Sequence, residues 1–129
     1  MSSLFLLFNH KLKDKQKNDA YSSLGIESIV DMPNEFKALW RQVPSNLTEI
    51  EQYIAPVQNW LASNSHPGDY TLIQGDFGAC YMMIKFAFKN SLVPVYSTTA
   101  REAVEIHAKD GSVKLIHKIE HVIYREYGK

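Results

Sequence analysis

Tyr70-Thr71-Leu72-Ile73-Gln74, then Gly75-Asp76-Phe77-Gly78 and, after one helix-length segment, Leu92-Val93-Pro94-Val95-Tyr96-Ser97-Thr98-Thr99-Ala100-Arg101-Glu102 decide the fold. Each apolar run has the length of a buried strand and ends abruptly in small polar residues. A strand, a helix and a second parallel strand make a right-handed crossover, which brings both polar ends to one edge of one sheet. Open α/β sheets bind their ligands at that carboxyl edge. The stretch therefore predicts a small-molecule or nucleotide site.

Working outward, Leu4 to Phe8 is continuously apolar, as a central strand covered on both faces should be, and breaks at Asn9-His10-Lys11. Asp14 to Leu24 reads as a solvent-facing helix capped by Gly25, and Ile26 to Val30 as a second strand stopped by Asp31-Met32-Pro33. Pro33 opens a short helix through Trp40. Thr48 and Glu51 have the spacing of a capping box ahead of an apolar stripe at Ile50, Tyr53, Ile54, Val57, Trp60 and Leu61. Pro56 inside this helix is expected to kink or split it. Ala79 to Asn90 is apolar except along Tyr81, Lys85 and Lys89, which predicts a helix buried deeply or placed at a subunit interface. After Glu102 the period becomes two, and Asp110-Gly111 predicts a tight hairpin with Val104, Ile106 and Ala108 opposite His117, Leu115 and Val113. The order β-α-β-α-α-β-α-β plus a hairpin specifies α/β class: a three-layer, Rossmann-like, mostly parallel sheet with an antiparallel end.

The 129 residues, 45% of them hydrophobic, suffice for one core and predict one domain over residues 1–129. Lys and Arg number 14 and so do Asp and Glu, so no net field draws the chain to DNA, long RNA or an anionic membrane. A small anion stays compatible, because a helix terminus binds phosphate through local dipoles. The lone Cys80 fits a reducing cytoplasm. The apolar start, Leu4 to Phe8, is far short of the ~20 residues of a membrane span.

Each candidate motif has a bland reading beside the functional one. Gly75-Asp76-Phe77-Gly78 leads into a helix amino terminus that favours phosphate, but Asp76 also suits a helix cap and the glycines a tight turn. His10 is a candidate acid or base and Lys11 a phosphate partner, yet a surface loop ending in His-Lys is unremarkable. Ser97-Thr98-Thr99 and Arg101 suit ribose and phosphate oxygens, or a cap. What favours function is convergence: three polar loops reach one sheet edge. His66, His107, His117 and His121 read as structural, with no metal site, and no Ser-His-Asp arrangement is apparent in the sequence.

Leu4-Phe5-Leu6-Leu7-Phe8-Asn9-His10-Lys11-Leu12, Gly68 to Ala79 around Gln74-Gly75-Asp76-Phe77-Gly78, and Leu92 to Glu102 resemble the small stand-alone CRISPR-associated Rossmann-fold (Csx-type) proteins of type III systems. The resemblance implies a CARF-type domain. It further implies a homodimer that binds cyclic oligoadenylate, most often cyclic tetra-adenylate, and cleaves it as a ring nuclease that ends an antiviral signal. It implies no cofactor and no metal: a ribose 2′-hydroxyl of the ligand attacks the adjacent phosphate and leaves a 2′,3′-cyclic phosphate. Carried onto this chain, it makes His10, Asp76 and Arg101 the catalytic groups. Asn9, Lys11, Gln74, Gly75, Phe77, Gly78, Ser97, Thr98 and Thr99 become ligand contacts, Asn9 standing where the group has Ser. The alternatives are a protein that captures the ring without cutting it, and an interaction module that binds no oligoadenylate.

Overall fold

A computed structural model of the chain describes residues 2–129. Five strands form one sheet in the order β2-β1-β3-β4-β5. Strands β1 (Ser3–Leu7), β2 (Ser28–Asp31), β3 (Tyr70–Ile73) and β4 (Val93–His107) run parallel, and β5 (Val113–Glu126) pairs antiparallel with β4. The helices are α1 (Asp14–Leu24), α2 (Asn34–Arg41), α3 (Glu51–Asn64) and α4 (Phe77–Lys89). The class is α/β with a mostly parallel sheet, compatible with a Rossmann-like arrangement.

Side chains of β1 alternate between two cores, as a strand covered on both faces requires. Leu4 and Leu6 join Leu72, Val95 and Ala20 of α1 on one side; Phe5 and Leu7 join Ile73 with Trp40, Ile54, Val57, Leu61 and Met83 of α2, α3 and α4 on the other. Among the described residues no helix is long and apolar enough to cross a membrane.

Four local expectations are corrected. The Thr48–Glu51 capping box does not form: α3 begins at Glu51 with Ile50 as its cap residue, because Ile50 is drawn against the core. Pro56 forfeits one backbone hydrogen bond, yet α3 is a single helix from Glu51 to Asn64, held along the sheet by Ile54, Val57 and Leu61. The segment after Tyr96 is not a loop, since β4 continues through it to His107. The hairpin pairs Val104 with Ile116 and His107 with Val113, one residue from the predicted register. The turn has three residues rather than two: Gly111 takes φ +86° and Asp110 Oδ1 accepts from Ser112 N at 2.9 Å. A one-residue slip exchanges the faces of one strand relative to the other.

The carboxyl end of β3 is fixed by two aromatic donors. Trp40 Nε1 donates to the carbonyl of Gln74 at 2.9 Å, and the Tyr127 hydroxyl donates to that of Ile73 at 2.6 Å. Burial pushes the Tyr127 phenol up to about 12, so it remains a donor. The Trp40 indole lies so close over Gly75 that a Cβ there would stand 2.8 Å from Nε1. Gly75→Ala is thus expected to lower stability by about 1–3 kcal/mol through overpacking, measured by urea denaturation of the ligand-free protein. An unchanged midpoint would show that the glycine does not serve this contact.

Candidate functional site

The parallel strands end on a cleft of about 540 Å³. Chain order sets its position: β1 leads through α1 to β2 on one side, and the chain then crosses to β3 on the other, so the topology reverses beside β1. Phe8, His10 and Lys11 follow β1 onto the wall; Gln74 follows β3; Ser97 and Thr99 come from β4; Lys13, Lys15 and Gln16 open α1; Lys118 to His121 come from β5. Four lysines and His10 thus face a single carboxylate, Glu120, which Lys15 meets at 3.3 Å. A chain with no net charge concentrates positive charge here.

A buried relay forms the floor. Ser97 Oγ lies 2.5 Å from His121 Nδ1, and His121 Nε2 lies 2.6 Å from Asp19 Oδ2. Asp19 Oδ1 accepts from the Ser23 hydroxyl at 2.5 Å. The His121 side chain is 3% exposed, and its ring leans on Tyr124, whose hydroxyl donates to the Gln16 carbonyl at 2.9 Å. Burial also pushes the Tyr124 phenol up, with Asp19 adding to the shift. With Asp19 ionised, the hydrogen on Nε2 points to the carboxylate and Nδ1 accepts from Ser97. Gln74 braces the serine, since its Oε1 accepts from Ser97 N at 2.7 Å. Ser97 is therefore a hydroxyl at the cleft, backed by an imidazole that a carboxylate orients.

Asp19 is pulled two ways. Burial raises its carboxyl, but hydrogen bonds from Ser23 and His121, together with the attraction of His121, outweigh that and hold it below the usual value.

The candidate residues divide clearly. His10, Lys11, Gln74, Ser97 and Thr99 line the cleft. Asn9 and Gly75 line a smaller recess of about 180 Å³ beside it, shared with Phe8, His10 and Gln74. The Asn9 amide oxygen is buried with no hydrogen-bond partner among the described residues. Thr98 turns away, its hydroxyl accepting from Ile123 N and donating to Ile123 O, both at 3.1 Å. Asp76 caps α4, accepting from Ala79 N at 3.0 Å, while Phe77 is 94% exposed; neither they nor Gly78 line the cleft. Arg101 lies on the hairpin beyond it. Sequence reading missed Asp19 and His121, which stand 102 residues apart; the only local hint was a serine directly after the apolar run of β4. Among the described residues no group of three His, Cys, Asp or Glu side chains is placed to hold a metal.

Residues 2–125 match the family described as "Uncharacterized protein MJ1673 family". The chain belongs to the MJ1673 family. The protein described as "Uncharacterized protein MJ1673", from Methanocaldococcus jannaschii, is 43% identical over 127 residues, which are 98% of each chain. No solved structure matches. The match to the MJ1673 family takes in all four helices, strands β1 to β4, β5 as far as Arg125, the cleft and the relay.

The lowered Asp19 makes a pH prediction with a definite sign. A carboxyl depressed in the folded state adds stability that is present above its unfolded value, near 3.8, and is lost as pH falls through the folded value. Wild type is expected to exceed Asp19→Asn in stability at neutral pH, with the gap closing below pH ~4, as measured by denaturant titration across pH. A gap that persists unchanged into strong acid would contradict this account.

Proposed function

We propose that this protein binds cyclic oligoadenylate, cyclic tetra-adenylate above all, and opens the ring by attack of a ligand 2′-hydroxyl on the neighbouring phosphate. The observation that carries the reading is the cleft itself: lysines from three elements surround a serine hydroxyl wired to a histidine and a carboxylate. Lys11, Lys13, Lys15 and Lys118 suit the phosphates of a small polyanion. Asn9 lines the recess beside them, its amide oxygen buried and without a donor among the described residues.

The chemistry needs no protein nucleophile. The 2′-hydroxyl passes its proton to Ser97 Oγ as Ser97 passes its own to His121 Nδ1, and the imidazolium so formed rests against the Asp19 carboxylate. The 2′-oxygen bonds to phosphorus, the bond to the 5′-oxygen breaks, and His10 on the cleft wall returns a proton to that leaving oxygen. Lysines of the cleft stabilise the charge that gathers on the phosphate. This reading takes the fold as a CARF-type Rossmann domain acting as a homodimer in the cytoplasm, where a type III CRISPR signal is ended. The Cys80 thiol, which burial pushes up to about 11, stays protonated and suits a reducing compartment.

The test is incubation of the purified protein with cyclic tetra-adenylate, separating linear product that carries a 2′,3′-cyclic phosphate. Ser97→Ala and His121→Ala are expected to lower the single-turnover rate by about 10²–10⁴-fold while binding changes little. Affinity should fall steeply with added salt, in proportion to the phosphates neutralised. Stoichiometric capture without linear product would leave binding alone, and no binding at low salt would refute the reading.

A further inference from the structure

Beyond Thr98, β4 and β5 leave the sheet as a two-stranded arm, and every residue from Thr99 to Ile119 is exposed. At about 3.3 Å per residue the arm extends on the order of 30 Å. Val104, Ile106, Val113, Leu115, Ile116 and Ile119 on it are 37% to 56% exposed. The whole chain shows the consequence. Its accessible surface is 8519 Å² at a mass of 14.8 kDa, whereas a compact folded chain of that mass exposes about 7,000 Å². The surplus of roughly 1,500 Å² exceeds the ~800 Å² that each partner contributes to a standard protein interface.

The pattern of one face says what covers it. Residues paired across the ribbon share a face, so Arg101 lies with Ile119, Ala103 with His117, Glu105 with Leu115, and His107 with Val113. At its root the same face runs into Thr99 and His121 at the cleft. A two-fold axis beside Ala103, set between two such faces and across the strands, turns tip onto root. It lays Arg101 over the partner's Glu105, Ile119 over the partner's Leu115 and Thr99 over the partner's His107, with Ala103 and His117 at the centre, each against its own copy. The opposite face fails the same operation: about Val104 and Ile116 it lays Lys118 over the partner's Lys114, like charge on like. Arg101 has no ion-pair partner among the described residues, and Glu105 reaches only His107, at 3.6 Å.

We propose that two copies of this chain associate through the Arg101–Glu105 face of their arms, tip to root, so that His107 of each copy stands at the mouth of the other's cleft. The association needs no ligand and so stands apart from the oligoadenylate reading, while naming a surface for the dimer that reading invokes.

The test is sedimentation equilibrium of the full chain without ligand at tens of micromolar, where wild type is expected at twice 14.8 kDa. Arg101→Glu and Glu105→Arg should each raise the dissociation constant by on the order of tenfold or more, and the double exchange should restore it. Val104→Asp, on the other face, should leave the dimer intact. Circular dichroism of each variant checks that the fold is kept, as these positions are exposed. A wild-type monomer, a double exchange that stays dissociated, or loss of the dimer by Val104→Asp with retention in Arg101→Glu would overturn the proposal. A dimer that the double exchange restores but that binds no oligoadenylate would refute the functional reading alone.

Discussion

An extra residue in β5 governs the site. Ser97 pairs with Tyr124 and Thr99 with His121, so β5 uses three steps where β4 uses two, and Thr98 faces the Val122–Ile123 pair alone. Along a regular strand, residues three apart point to opposite faces. The bulge cancels that parity. His121 and Tyr124 therefore both turn toward α1, one to meet Asp19 and the other the Gln16 carbonyl. The same irregularity sharpens the local twist where the two strands part from the sheet. One backbone defect thus aligns the relay, docks α1 and aims the arm.

How much of this was legible follows from the range of each interaction. The helices and parallel strands were legible because their apolar spacing is local: β1, α1 and β3 lie within a residue or two of where the pattern puts them. The carboxyl edge was legible from topology, and His10, Lys11, Gln74, Ser97 and Thr99 reach it. The hairpin register was not, since Asp110-Gly111 serves a two-residue or a three-residue turn, and what separates them is the backbone of Asp110, which a two-residue type I′ turn would hold at positive φ and which here is not. Nor was the relay, because placing Asp19 against His121 requires the bulge, the register and the seat of α1 together. Asp76 illustrates the opposite error: its carboxylate is used within the first turn of α4, at Ala79 N, and is not aimed at the cleft.

Burying Ser97 and His121 is tolerable only because the chain of partners closes. An unmet buried donor or acceptor costs roughly 1–3 kcal/mol. Here the Ser97 amide meets Gln74, its hydroxyl meets His121, both imidazole nitrogens are engaged, and Asp19 meets Ser23. The position open to a visitor is the cleft side of the Ser97 oxygen. Such an arrangement holds the imidazole in one orientation without consuming the one group that faces outward, and the lysines around it supply the field that selects what that visitor is.

The arm poses the reverse problem. Fixing a residue costs about 1–2 kcal/mol of backbone entropy, while a cross-strand pair returns only ~0.2–1 kcal/mol beyond its ladder hydrogen bonds. A two-stranded ribbon with water on both faces is marginal on those terms, and one presenting Leu115 and Ile119 to solvent also forfeits their burial. Its persistence as an extended element calls for a surface that supplies apolar contact without introducing unpaired charge. The face carrying Arg101, Ala103 and Glu105 meets that requirement when turned upon itself, since Arg101 meets Glu105 and Ile119 meets Leu115. Because that face is continuous with Thr99 and His121, whatever covers the arm also borders the cleft.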